Sequence, residues 1–299
     1  MRNTAPLTVT VGIPTYYGGR GLVKTVKSIL ASTGVEPFRL IVCVDGNPLQ
    51  KEVENALGAL GVEIIFSQER GGQRARIKQM LDVCTTDVLI LTQDDVLFSP
   101  DAIRHLLGTF ESYPEATMLS GHGEPLPAKS FFESVIQIGM MISECVGKQW
   151  RGGDNYLRVG GRCLAFRAGF MRTLDIAEEV LSSDANFYFL NEKNNGVFRH
   201  VDEAVYFVRS PQTIVEHLKQ SRKYQLISKE IQRDLDLDIG RLQPIPLGLL
   251  SRVAFLTFFQ HPVRVSCYVV LWAYTRLTGK SIYARSRCFW ETDVSTKRI

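Results

Sequence analysis

Four short, nearly continuous apolar runs, each followed by a turn and a helical stretch, constrain this chain more than any other feature. They lie at residues 7–13 (LTVTVGI), 38–44 (FRLIVCV), 62–67 (VEIIFS) and 87–92 (DVLILT). Helical patterns fill the intervals at 22–31, 50–60 and 73–83. A strand with one wet face alternates apolar and polar residues, whereas a strand covered on both faces reads as an unbroken apolar run. Runs of this kind, alternating with helices, predict an α/β fold with a mostly parallel sheet and helices on both faces. Beyond residue 116 the pattern loosens. An apolar helix is expected at 131–146, short strands around Gly160-Gly161 at 156–166, a strand at 198–209, and a long helix at 211–235 with Pro211 at its start.

Ligands of open α/β sheets bind beyond the carboxyl ends of the strands. Thr15 and Tyr16, Asp45, and the pair Asp94-Asp95 all fall at such ends, so three polar clusters from separate stretches converge on one edge. For Asp45 alone, a helix cap or a turn former is the competing reading. Two adjacent acids repel unless a cation or base neutralises them. Hard divalent ions take oxygen ligands, and magnesium is usually held by one or two carboxylates plus substrate phosphates. The chain has no G-x-x-x-x-G-K-[ST] loop and no G-x-G-x-x-G after its first strand, which removes support for NTPase and dinucleotide readings. The segment Arg70-Gly71-Gly72-Gln73-Arg74-Ala75-Arg76 opens a helix, where backbone N–H and guanidinium groups favour anions; a solvated helix face is the alternative.

These stretches, taken in order, resemble the motifs of family-2 glycosyltransferases with a GT-A fold, a Rossmann-like architecture. I-P-T-Y ends at Tyr16, V-D-G-N contains Asp45, G-G-Q-R-A-R ends at Arg76, and T-Q-D-D ends at Asp95. V-G-G-R, with Gly160 and Gly161, is similar to the glycine-containing segment beside the donor sugar, and S-S-D, ending at Asp184, occupies the place of the catalytic-base motif. Gln220-Ser221-Arg222-Lys223-Tyr224 resembles the Q-x-x-R-W motif of membrane-associated members. The resemblance spans about residues 7–225. It implies an inverting enzyme that takes sugar from a nucleotide-diphosphate donor with Mg²⁺ or Mn²⁺. It implies Asp95, with Asp94, as metal ligands, and Asp184 as the general base on the acceptor hydroxyl. Donor-binding roles are implied for Pro14, Thr15, Tyr16, Asp45, Arg76, Asp94, Gly160, Gly161, Gln220, Lys223 and Tyr224.

The chain departs from the family pattern at Gln93, where the metal motif would read Asp-x-Asp, and at Lys223 and Tyr224, which replace Arg and Trp. Asp202 is the second candidate for the base, although it and Glu203 sit in strand-like sequence; Glu178 and Glu179 read as helix surface. His122, between two glycines, and His217, near Gln220, are candidate cleft residues, while His105, His200 and His261 show no ligand spacing to one another. A nucleotidyltransferase, or an inactive nucleotide-sugar-binding scaffold, is the rival reading.

Charge and composition bear on compartment and partners. Six widely spaced cysteines without a C-x-x-C pair fit a reducing compartment, and residues 1–6 lack the apolar stretch of a secretory signal, so a cytoplasmic location is expected. Residues 241–299 carry nine Lys/Arg against two acids, while the remainder is slightly negative. Two apolar runs, 247–259 and 263–275, are split by Gln260-His261-Pro262, and both fall short of the roughly 18–20 residues needed to span a bilayer. Basic and aromatic residues among aliphatics describe helices lying in a membrane interface; two helices packing on the catalytic domain, with their arginines reaching water, are the competing reading. The expected organisation is therefore a GT-A-like catalytic domain over 1–235 and an apolar, basic helical segment over 236–299. The segment would dock peripherally or monotopically on an anionic membrane surface, with a saccharide or lipid-linked acceptor and no nucleic-acid partner.

Overall fold

The computed structural model describes residues 5–176, 184–278, 296, 297 and 299. The four apolar runs form β1 (Val9–Thr15), β2 (Arg39–Asp45), β3 (Glu63–Ser67) and β4 (Val88–Thr92), joined by α1 (Arg20–Leu30), α2 (Lys51–Ala59) and α3 (Gly72–Val83). They pair in parallel in the order β3-β2-β1-β4. Alternate residues go to opposite sides. Val42 and Val44 of β2, with Val88 and Ile90 of β4, enter one core cluster; Ile41, Cys43, Leu89 and Leu91 enter the other. That two-sided burial is why the sequence shows runs instead of alternation.

The second half adds β5 (Val96–Phe98), α4 (Ala102–Ser112), β6 (Ala116–Pro125), α5 (Phe131–Gln149), β7 (Cys163–Arg167), the short α6 (Ala168–Met171), α7 (Asp184–Lys193), β8 (Val197–Val208) and α8 (Ile214–Leu235). The completed sheet has eight strands in the order β3-β2-β1-β4-β7-β6-β8-β5. It is mixed: β7 runs antiparallel to both β4 and β6, β5 antiparallel to β8, and β6 parallel to β8. One consequence fixes the site. Because β7 opposes β4, with Cys163 beside Thr92, the residues leading into β7 lie next to those leaving β4.

Two expectations shift. Residues 156–166 are not strand throughout: Tyr156–Arg158 form a 3₁₀ turn, and extended pairing starts only at Cys163. The Asn155 side chain donates to the carbonyls of Gly147 and Trp150 and accepts from Leu157 N, so local hydrogen bonds outcompete a ladder there. The long helix starts at Ile214 instead of Pro211, because the Thr213 hydroxyl caps it, accepting from Glu216 N at 3.3 Å.

After Asp236, whose φ of +56° ends α8 in a left-handed turn, come α9 (Ile239–Leu242), α10 (Leu247–Gln260) and α11 (Pro262–Thr278). Leu271, Cys267 and Tyr268 of α11 pack on Val135 and Ile136 of α5. The outer faces stay apolar and exposed, with Leu247, Phe259, Val270 and Leu277 between 67% and 82% accessible. No described helix is long and apolar enough to cross a membrane.

Candidate functional site

The carboxyl ends of β1, β2 and β4 gather the residues singled out in the sequence. Asp94 and Asp95 leave β4 and are almost fully buried, at 5% and 3% exposure. The Thr15 hydroxyl, at the end of β1, donates to Asp94 Oδ2 at 2.6 Å and accepts from Gly18 N, which orients that carboxylate. A cation completes the cluster. Lys297 Nζ donates to Asp94 Oδ1 and lies 3.4 Å from Asp95 Oδ2, while Arg162 Nε stands 3.7 Å from Asp95 Oδ1. Burial alone would raise the Asp95 carboxyl, but Lys297 and then Arg162 outweigh it and hold the group below the usual carboxylate range. The Lys297 ammonium is held above its ordinary value: burial opposes this, but Asp94 and then Asp95 overcome it.

Asp45 has a visible structural task. Its Oδ1 and Oδ2 accept from Gly71 N at 2.8 Å and Gly72 N at 3.0 Å, at the mouth of α3, and Arg76 Nε lies 3.2 Å from Oδ1. Gly72 takes φ +79° to bring these N–H groups round, a conformation that favours glycine. Arg76 is thus turned onto Asp45 and onto Gln79 Oε1 at 2.9 Å. The Arg70 guanidinium sits over the Tyr16 ring at 4.1 Å, and Pro14 lies within β1 beside Cys43.

The loop before β7 joins the acid pair to Asp184. Thr92 Oγ1 donates to Arg162 O at 2.7 Å, and Gln93 Nε2 to Gly161 O at 3.5 Å. Gly160 N donates to Ser120 Oγ, and a Cβ on Gly160 would fall 2.1 Å from the Tyr206 hydroxyl. A Cβ on Gly161 would come within 3.1 Å of Asp184 Oδ2, so the glycine lets the loop lie directly against that carboxylate. Asp184 opens α7, accepting from Ala185 N. Sequence reasoning missed what anchors that helix: buried Arg74 of α3 donates to Asn186 Oδ1 at 2.7 Å and stacks on Phe187 at 4.7 Å. Its only signal was a basic residue in the helix-opening segment.

Gln220 is half-buried in α8; the side chains of Lys223 and Tyr224 lie outside the described residues, as do Glu178 and Glu179. Asp202, the second base candidate, belongs to a separate cluster. Arg158 bridges Glu144, at 2.8 Å, and Asp202, with Lys148 3.5 Å from Asp202. His122 and His200 join it edge to face at 6.0 Å. His200 Nδ1 contacts the Arg158 carbonyl at 3.0 Å, which only a protonated Nδ1 satisfies, so Nε2 carries the lone pair. Burial and then the Arg158 charge push the His200 pKa down to about 3. Partial burial would raise the Asp202 carboxyl, but the Arg158 contact holds it below its ordinary range. Although His122, Glu144, His200 and Asp202 bring ligand atoms within 4.8 Å of one another, Arg158 and Lys148 already balance the two acids. Elsewhere, burial pushes the Cys43 and Cys163 thiols up to about 12, far from nucleophilic readiness.

Asp94 and Asp95 are the better match to a divalent cation. They are hard oxygen donors held side by side, they already carry a cationic group, and the buried Asp95 Oδ1 accepts no hydrogen bond among the described residues. Beside them opens a cavity of about 670 Å³, lined by Arg20, Lys24, Lys129 and Lys297 together with Tyr17, Leu22 and Ile299.

Comparison with known proteins bears on the family and the fold. Residues 10–156 match the model of glycosyl transferase family 2, and residues 88–290 that of glycosyl transferase family group 2. A glucosyl-dolichyl phosphate glucuronosyltransferase of Haloferax volcanii is 33% identical over 101 residues, a stretch covering 33% of this chain and 32% of that protein. The chain thus spans about a third of the length of that relative. Among solved structures, a mannosyltransferase from Pyrobaculum calidifontis, in complex with GDP-Man and Mn²⁺, superposes with a TM-score of 0.64. It is 13% identical, and the match covers 92% of this chain and 77% of that one. Glucosyl-3-phosphoglycerate synthase from Mycobacterium tuberculosis, with Mn²⁺, UDP and glucosyl-3-phosphoglycerate, gives 0.54 at 13% identity, covering 76% and 80%. Both likenesses concern the fold.

Proposed function

The chain belongs to glycosyl transferase family 2, and from that premise we propose that it is an inverting glycosyltransferase using a nucleoside-diphosphate-sugar donor. The observation that carries this reading is the buried Asp94–Asp95 pair, whose loop neighbours bear on Asp184: Arg162 stands 3.7 Å from Asp95, and Gly161 lies directly against the Asp184 carboxylate. Asp94 and Asp95 hold Mg²⁺ or Mn²⁺, which offsets the charge appearing on the departing diphosphate. Thr15 fixes the Asp94 carboxylate for that task. The basic side chains lining the cavity beside the acid pair receive the diphosphate, and Gln220, Lys223 and Tyr224 are assigned to the same donor by the resemblance of their motif. Pro14, Tyr16, Asp45 and Arg76 shape the base and ribose end of the site. Asp45 acts there chiefly by holding the α3 entrance, since both its oxygens already serve Gly71 and Gly72. Gly160 and Gly161 let their loop lie close against Tyr206 and Asp184, beside the donor sugar.

Asp184 removes the proton of the acceptor hydroxyl as its oxygen attacks the anomeric carbon. Base and leaving group then lie on opposite sides of that carbon, and its configuration inverts. Asp202 is the poorer base, because Arg158 and Lys148 stabilise its charged form. The exposed apolar faces of α10 and α11, with Arg252, Arg264 and Arg276 on the same helices, rest at an anionic membrane surface on its cytoplasmic side. A lipid-linked or saccharide acceptor is reached from there.

The test is a thermal-shift screen of nucleotide sugars with and without Mn²⁺, because a ligand of the folded state raises its apparent stability. A cognate donor should stabilise the native chain only with the ion, and Asp95→Asn should remove that response while staying folded. An undiminished, Mn²⁺-dependent response in Asp95→Asn would reject the assignment.

A further inference from the structure

Two carboxylates buried side by side require a positive charge near them. The chain itself supplies one from 203 residues beyond Asp94: Lys297. Its ammonium touches Asp94 Oδ1 and lies 3.4 Å from Asp95 Oδ2, one oxygen of each carboxylate that the proposed metal role assigns to the ion. The contact is part of a seat. The backbone carbonyl of Lys297 lies so close to Gly21, in the first turn of α1, that a Cβ there would stand 2.7 Å from it. Three residues on in α1, Lys24 Nζ donates to the carbonyl of Ile299. Lys297 and Ile299 also line the 670 Å³ cavity beside the acids. A segment that fills the cation position and borders the anion position covers both halves of a metal–diphosphate site.

We infer that Lys297 and a divalent ion are alternative occupants of the Asp94–Asp95 carboxylates, so that loading the site expels the Lys297 segment from its seat on α1. An ammonium and a divalent cation sharing the same oxygens would lie within a few ångströms of each other, where like charges repel strongly in a partly dry site. Lys297 therefore keeps the acid pair neutralised before the ion arrives and sets a threshold for its entry. The inference rests on the proposed metal role of Asp94 and Asp95.

Calorimetric titration of the full chain with Mn²⁺ alone tests it. Lys297→Gln removes the competing charge at similar length, and its affinity for Mn²⁺ should rise at least about tenfold over the native chain, a modest share of the cost of breaking a buried ion pair. Lys297→Arg keeps the charge and should stay within about threefold of the native value on the same reasoning. Independently of any variant, acylation of Lys297 by an amine-reactive ester, read by mass spectrometry, should be slow in the metal-free protein and speed up with saturating Mn²⁺. A Lys297→Gln protein that binds Mn²⁺ no tighter than the native chain, or a Lys297 whose acylation ignores Mn²⁺, overturns the inference. If binding depends on Asp95 yet Lys297→Gln gains nothing, only the competition is wrong. If no version binds Mn²⁺, the metal role falls and takes the competition with it.

Discussion

Asp45→Ala should destabilise the protein far more than an ordinary surface change, and the structure says by how much. The carboxylate satisfies two N–H groups at the mouth of α3, on Gly71 and Gly72, and pairs with Arg76 at 3.2 Å. The side chains of Arg76 and Asp45 are only 11% and 7% exposed, so solvent screening is slight. Removing one partner of a buried pair costs about 3–5 kcal/mol, mostly because the other charge stays behind without compensation. Gln79 Oε1, 2.9 Å from Arg76 Nη1, offsets part of that, and loss of the cap adds about 1 kcal/mol. A net loss of about 4 kcal/mol follows, or roughly 8 °C in melting temperature at about 2 °C per kcal/mol. Urea and thermal unfolding followed by circular dichroism would measure it. Arg76→Met in the same chain should recover part of the loss, because no buried charge then remains. A loss below about 1 kcal/mol for Asp45→Ala, or strict additivity in the double mutant, would show that the pair does not hold α3 as argued.

Asp184→Asn should lower turnover by about two or more orders of magnitude, the scale of a lost general base, with donor affinity nearly unchanged; an active variant would move the base elsewhere. His200 gives a pH signature: its folded pKa, about 3, lies below the unfolded value, so its contribution to stability is full above pH 6.5 and falls as the pH drops toward 3. In that window the native chain should lose about 1.4 kcal/mol per pH unit to this one proton, and His200→Gln should show a correspondingly shallower slope in chemical denaturation. The chain should co-sediment with anionic vesicles, less with neutral ones, and release in part at high salt, each basic residue near the surface adding about 1 kcal/mol. Phe259→Glu and Leu277→Glu, at exposed positions, should weaken that binding without unfolding the chain, and sedimentation that ignores both would remove the membrane reading.

The sequence by itself determined the four parallel strands and the edge on which the site lies. In β1, β2 and β4 burial on both faces leaves a local trace, an apolar run of five to seven residues, and a parallel pair needs a helical crossover that leaves its own period. Thr15, Asp45 and Asp94-Asp95 were therefore placed by counting to strand ends. The competing readings of Asp45 were also visible, but only the fold showed both its oxygens turned to α3. Periodicity reports which face a residue occupies, never which distant residue it meets. The antiparallel insertion of β7 beside β4 brings Gly161 against Asp184, and that register follows from sheet assembly. The network of Arg158 with His122, Glu144, His200 and Asp202 draws on three strands or helices and a loop, each contributing one or two polar residues that look ordinary in their own stretch. Lys297 is the extreme case: in sequence one basic residue among nine near the end of the chain, in the structure the cation on Asp94 and Asp95. Two buried like charges dictate that some cation must come, and tertiary structure alone decides which.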